Sequence, residues 1–203
     1  AAALAMGFRI FFLLGALAAV VLVPLWMAVY AYGVALPPGV QPMQWHAHEM
    51  LFGFVAASMA GFLLTAPGTW TGRPMPKGAT LGGLALLWLA GRVLPFFPSF
   101  IPGWLLLAVD AAFLPAVGWV VYRALRGLPG QRHNLVFPIL LAVMTAANVL
   151  AHLQVRNRWG VAVGTEGMLY LVLILISLLG GRVIPGFTQG QIPHGKTRIH
   201  PAL

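Results

Sequence analysis

Six apolar stretches set the pattern of this chain, at residues 10–32, 49–66, 80–97, 103–122, 135–153 and 167–184, with short polar, proline- or glycine-bearing connections between them. Each is near the length of about 17–25 residues that a helix needs to cross hydrocarbon. The third is the shortest, because Pro95 and Pro98 limit it. The alternating ten-residue segments of a β-barrel are not visible. The pattern predicts an all-α, polytopic transmembrane helix bundle of about six helices over residues 1–188, followed by a polar tail at 189–203. The first stretch follows Arg9 as a secretory signal would, yet it continues past Pro24 to Trp26 and Tyr32. That exceeds an apolar signal core of about 7–15 residues, so it reads as a retained helix. The chain opens on Ala1, which is expected of numbering that starts within a longer or processed gene product.

Composition agrees with the pattern. Hydrophobic residues make up 60% and charged residues 7%, with a mean hydropathy of +0.89, far from the roughly 25% charge of soluble domains. A net charge of +9 could suggest nucleic acid, but the basic residues are scattered through short connections and form no stripe. Their better use is the positive-inside rule. With six helices, Arg9, Arg73, Lys77, Arg123, Arg126, Arg132, Arg182, Lys196 and Arg198 fall on one side, and Arg92, Arg156 and Arg158 on the other. Nine against three predicts that both termini are cytoplasmic.

That topology gathers scattered residues. His46, His48 and Glu49 would begin helix 2 on the outer side, Arg92 would end helix 3 there, His152 would end helix 5, and Glu166 would precede helix 6. Asp110 would lie about seven residues inside helix 4, roughly 10 Å deep at 1.5 Å per residue. Ionisable groups within a membrane are expensive and usually carry function. For Glu166 and Arg92 the plain reading, that helix ends attract polar residues, is about as good. A carboxylate inside a helix needs a partner or a proton, and Arg92 is the nearest basic candidate to Asp110 by depth.

Helical spacing separates the two histidines of Trp45-His46-Ala47-His48-Glu49. At about 100° per residue, His46, Glu49, Gly53, Ala57 and Gly61 share one stripe, while His48 points nearly the opposite way with Phe52, Val55, Met59 and Phe62. The small stripe permits close approach of another helix or of a flat cofactor, and helix packing is the commoner use. Both histidines could serve one site only if residues 45–48 were not regular helix. A His-x-His pair can chelate a metal from an irregular terminus, and imidazoles suit copper, zinc or iron. Asn148 and His152, four apart, share a helix face, so the amide could orient the imidazole. Histidines on two outer helix ends are the minimum for bis-imidazole haem, or for haem on one and copper on another. Equally, His152 could be an interfacial residue reaching water. His133 belongs to the other side, and His194 and His200 to the polar tail.

The chain has no cysteine, which excludes thiolate-held iron–sulfur clusters, a thiolate haem ligand, covalent haem attachment through CxxCH, and disulfides. No Gly-rich phosphate loop, HExxH or GxSxG motif is present. One internal echo relates Gly91-Arg92-Val93-Leu94-Pro95-Phe96-Phe97 to Gly181-Arg182-Val183-Ile184-Pro185-Gly186-Phe187. Three helices apart, the copies would face opposite sides, as in inverted repeats. A recurring way to stop a helix, with Arg snorkelling and Pro breaking the backbone, is the plainer account.

The blocks Phe8-Arg9-Ile10-Phe11-Phe12-Leu13, Trp45-His46-Ala47-His48-Glu49-Met50-Leu51-Phe52-Gly53-Phe54, Gly61-Phe62-Leu63-Leu64-Thr65-Ala66, Trp70-Thr71-Gly72-Arg73, Trp88-Leu89-Ala90-Gly91-Arg92 and Gly180-Gly181-Arg182-Val183-Ile184-Pro185-Gly186-Phe187-Thr188 resemble, in order, the signature blocks of the NnrS family. The resemblance implies a multi-pass protein of the bacterial inner membrane that binds haem b and copper and is associated with nitric oxide metabolism, denitrification and resistance to nitrosative stress. It supports His46, His48, Glu49, Arg92 and Arg182 as members of family blocks, with Asn148 and His152 in a looser Asn-xxx-His pattern. Cofactor-binding candidates are therefore His46, His48, Glu49, Arg92, Asn148 and His152, with His46, His48 and His152 as metal ligands. Haem is expected between helices 2 and 5, with His46 or His48 and His152 as its axial ligands. The family is usually longer, so expected partners are the lipid bilayer, haem, and further membrane subunits or a C-terminal half, without nucleic acid.

Two other classes compete with that expectation. An accessory subunit of a respiratory or photosynthetic membrane complex fits the short length and the small stripe on helix 2. A small-solute transporter fits the inverted echo and Asp110 as a proton carrier.

Overall fold

The computed structural model describes residues 2–37, 40–154 and 162–191. Among them every regular element is helical, and six helical runs are long and apolar enough to cross a membrane: Gly7–Tyr32, Pro42–Thr71, Ala79–Phe96, Gly103–Leu125, Pro129–His152 and Val163–Pro185. The chain is a multi-pass membrane protein. The longer helices are α1 (Gly7–Tyr32), α5 (Ala79–Val93), α6 (Gly103–Leu125), α7 (Val136–His152) and α8 (Val163–Gln191). The second span is composite: α2 (Pro42–His48), a π-helical segment Glu49–Val55, α3 (Ala56–Leu63) and α4 (Ala66–Thr71).

Local chemistry sets the ends. Gly33 stops α1 at φ +66°, a left-handed cap that glycine adopts without strain. Pro42 opens α2 at a position where its missing N–H is no loss, after an extended Gln41. The second span therefore begins seven residues before the expected position 49, and the histidine block lies within a helix, not at its mouth. At the other end of the bundle the Phe8 N–H donates to Thr65 Oγ1 at 3.0 Å, tying the start of α1 to the end of the second span.

The second span is the centre of the bundle. It is 56% buried over its apolar window, against 18–33% for the others. α1 packs on α3 and on the π-helical segment; α5 packs on α6, α6 on α7 and α7 on α8, and α8 returns to the π-helical segment. Phe11, Leu63, Leu81, Val117, Phe137 and Met144 are fully enclosed where these helices meet.

The echoed proline motifs behave differently. After Arg92 the chain tightens into a 3₁₀ turn, Leu94–Phe96, and α5 ends. Pro185 instead lies inside α8, which continues to Gln191. The expected stop near residue 184 is therefore not observed, and the helix runs into the stretch expected as polar tail. The side chain of Arg182, and His194 and His200, lie outside the described residues.

Candidate metal centre

A π-helix closes i to i+5 bonds and widens the turn, so residues beyond it rotate away from the regular 3.6-residue wheel. Seven consecutive residues, Glu49–Val55, take this form directly after His48. The expected stripe of small residues is split as a result. Gly53 faces α5, where a Cβ would meet Arg92 Nη1 at 2.9 Å and Glu49 Oε2 at 3.2 Å. Gly61 faces α1, where a Cβ would come within 2.7 Å of the Phe12 ring. The stripe thus serves helix packing at Gly61 and makes room for a guanidinium at Gly53. The Trp88 indole N–H donates to the Gly53 carbonyl at 3.1 Å, which fixes α5 against this turn.

One charged cluster occupies that end of the bundle. Asp110 is 6% exposed, and Glu49, Arg92 and Asn148 are also buried. Asp110 is the hub: Oδ1 accepts from Arg92 Nη2, and Oδ2 accepts from Asn148 Nδ2 at 3.0 Å and from His152 Nε2 at 2.9 Å. His48 Nε2 lies 3.2 Å from the same Oδ2 and donates to Asn148 Oδ1 at 3.0 Å. Gly91 permits the approach, since a Cβ there would fall 2.6 Å from Asp110 Oδ1. Arg92 Nη1 also faces Glu49 Oε2 at 3.5 Å, and Glu49 Oε1 is 3.6 Å from His48 Nδ1. An unpaired buried carboxylate would cost several kcal/mol, so one guanidinium shared by two carboxylates holds this arrangement together.

The expected residues separate on inspection. His48, Glu49, Arg92, Asn148 and His152 come together. His46 does not: on the regular turns of α2 it points toward α1 and stacks on Trp26, with ring centroids 4.2 Å apart. Asn148 bonds His48 and Asp110 rather than the ring of His152, so the expected amide–imidazole support within one helix is replaced by support across helices. Glu166 is exposed in the first turn of α8, and His133 is exposed in the stretch before α7, both outside the cluster. Asp110 takes the third ligand position, beside His48 and His152, that the expectation gave to His46. Its signal was present in the sequence as a carboxylate inside an apolar helix.

The donor set fits a bare metal ion. One atom each from His48, Asp110 and His152 lie within 4.8 Å of one another, and Asp110 Oδ2 is 3.2 and 2.9 Å from the two imidazole nitrogens, so a small inward shift of the rings would give bonds of about 2.0–2.2 Å to one ion. If Nε2 of His48 ligates, its proton moves to Nδ1, and Glu49 Oε1 at 3.6 Å is placed to hold it, as carboxylates do for metal-bound imidazoles. Solvent reaches His48 through a small cleft of about 40 Å³ lined also by Gln44, Gln154 and Thr165, room for about one water.

The same geometry does not fit a haem between α2 and α7. The rings of His48 and His152 are 4.9 Å apart and 71° inclined. The Asp110 carboxylate is bonded in the gap that a macrocycle would need.

Comparison with known proteins gives one match over nearly the whole length: the family model described as NnrS protein covers residues 2–203. No curated protein and no solved structure matches the chain.

Proposed function

The chain belongs to the NnrS family, and from that membership we propose that it is a bacterial inner-membrane metalloprotein acting in nitric oxide metabolism or nitrosative-stress resistance, with its metal held by His48, Asp110 and His152. The observation that carries this reading is the convergence of two imidazole nitrogens and a carboxylate oxygen at one partly buried point on three different helices. When bound, copper there would supply a redox-active ion able to meet nitric oxide in a low-dielectric pocket. The protein's part is to orient His48 through Glu49 and Asp110 through Asn148, to neutralise the carboxylates through Arg92, and to admit water through a narrow cleft beside His48. Haem b stays a family expectation without a seat among these residues.

Two histidines with one carboxylate also match the donor set of non-haem iron, and Asp110 favours that second reading. Metal analysis and an absorption spectrum of the purified full chain decide between them. About one copper per chain without a Soret band supports copper; about one iron without a Soret band supports non-haem iron. His152→Ala and His48→Ala should each remove the metal. Retention of full stoichiometry in both variants would sink the assignment, and a stoichiometric Soret band lost in His152→Ala would restore haem to this site.

The reading also orients the protein. The charge asymmetry of the connections supports placing the cluster at the periplasmic face. Reporter fusions near residues 39 and 157 should then read periplasmic, and a cytoplasmic reading at both would invert the molecule.

A further inference from the structure

The chain's three acidic residues all lie toward one end of the bundle. Glu49 and Asp110 belong to the charged cluster, and Glu166 stands in the first turn of α8, next to the Thr165 that lines the His48 cleft. The opposite end carries Arg9, Arg73, Lys77, Arg123, Arg126 and Arg132 and no acidic side chain. There a groove of about 350 Å³ runs between residues 73–76, Thr80 at the start of α5, and the last turns of α6, where Trp119, Val120 and Arg123 line it. Arg73 and Arg123 thus share one groove.

Nothing in the protein matches their charge. Arg73 gives Nη1 to the carbonyls of Ala124 and Arg126, neutral acceptors that cancel no charge. Arg123 is exposed, and among the described residues its side chain makes no hydrogen bond or ion pair. Two like charges in one groove favour an anion between them. Guanidinium forks match the free oxygens of a phosphate group, and exposed Thr80 adds a hydroxyl to the lining.

The apolar part of the groove selects among anions. Met75, Trp119 and Val120 line it beside the arginines. Trp119 is 57% exposed, and its ring lies 5.8 Å from that of Tyr122. An aromatic pair next to an arginine in the last turn of a spanning helix is the composition of the headgroup level of a bilayer. A small water-soluble anion would use the guanidinium groups and leave the indole unused. A phosphate that carries acyl chains would use both, and basic pockets between spanning helices take such headgroups.

We propose that this groove binds the headgroup of an anionic phospholipid, its phosphate between Arg73 and Arg123 and its acyl chains along Trp119 and Val120. The site lies at the far end of the bundle from His48 and Asp110, so it is independent of any metal there. A bound lipid would tie residues 73–76 to α6.

The test is titration of the purified full chain in detergent with dioctanoyl phosphatidylglycerol, read by native mass spectrometry and by Trp fluorescence. Dioctanoyl phosphatidylcholine, dioctanoylglycerol, octanoate and glycerol 3-phosphate are the comparators. One phosphatidylglycerol per chain is expected, bound about tenfold or more tighter than each comparator, as charge-assisted hydrogen bonds allow. Arg123→Gln should weaken it by about the same factor, with thermal midpoint and metal content as in the unmodified chain. Arg126→Gln and Arg132→Gln remove the same charge from the same end, outside the groove lining, and should leave the affinity unchanged. Trp119→Ala should weaken phosphatidylglycerol and leave the weak binding of glycerol 3-phosphate unaltered. Equal weakening by all three arginine variants would mean diffuse attraction to a basic surface. Equal binding of phosphatidylcholine or dioctanoylglycerol would remove the role of charge, and tighter octanoate would give the groove to fatty acids. Equal binding of glycerol 3-phosphate would make the ligand a soluble phosphate. Each of these results overturns the proposal, as does unchanged affinity in Arg123→Gln.

Discussion

Two arginines at opposite ends of the bundle do unlike work. Arg73, after the second span, is half-buried and sends Nη1 to the carbonyls of Ala124 and Arg126 at 3.1 and 2.9 Å. There it satisfies orphan acceptors at the end of α6, a usual task for a cation at a helix C-terminus. Arg92 spends its charge on Asp110 and Glu49. Polar groups at the first end close the fold. Those at the second exceed what the fold needs: two histidines, an asparagine and two carboxylates gather where an apolar contact would pack as well. Surplus buried polarity of that kind marks a site.

Breaking Arg92 should show the largest effect. Arg92→Leu strands Asp110 and Glu49, and removing one partner of a buried pair costs about 3–5 kcal/mol. Arg92→Leu with Asp110→Leu should be less destabilised than the sum of the single variants, with a coupling of about 0.5–3 kcal/mol. Unfolding in a mild detergent by thermal scan measures it. Additive losses would mean that the pair seen here does not form in the membrane.

Next in size is the support of the ligands. Glu49→Gln removes the group placed to orient a metal-bound His48, and Asn148→Ala the amide that orients Asp110; such losses typically lower metal affinity about 10–100-fold. Competition with a chelator of known affinity reads the change. If Glu49→Gln does not differ from the unmodified chain, His48 does not ligate through Nε2; if Asn148→Ala does not, Asp110 is not a ligand.

Arg73→Gln belongs to the other end and should behave as a lost cap. A loss of about 0.5–2 kcal/mol in stability is expected, by analogy with helix caps, with metal content unchanged. A loss of metal in Arg73→Gln would mean that the two ends are coupled and that the contrast between them is false.

Much of this contrast could be read from the sequence. Apolar length alone places six spans, because a lipid-facing helix must hide its own backbone groups and needs a fixed run to do so. Asp110 and Arg92 are also legible as a pair, since neither tolerates isolation in an apolar helix. The start of the second span is not. Residues 42–48 are too polar to register as hydrocarbon, and their helix depends on the Pro42 start and on packing of Trp45. The π-helical segment is equally hidden, because Glu49-Met50-Leu51-Phe52-Gly53-Phe54-Val55 carries no residue that demands a wide turn. What holds it is tertiary: the Trp88 bond to Gly53 and the guanidinium against Glu49. The wheel that assumed a regular helix therefore put Gly53 and Gly61 on one face, and the widened turn sends them to different neighbours.

The smallest effect should come from His46, and it tests the division between the two histidines. On α2 the pair is separated by two residues, about 200° of rotation, so one ring meets the cluster and the other meets Trp26. A stacked aromatic pair of this kind is worth about 0.5–1.5 kcal/mol beyond its burial. His46→Phe keeps the stack and should leave stability and metal content unchanged; His46→Ala should lose stability by about that amount and still bind metal fully. Metal content and thermal midpoint of the two variants are the measurements. Loss of metal in His46→Phe, with the stack preserved, would require residues 45–48 to leave the helix on metal binding, and would bring the His-x-His chelate back in place of the three-helix site.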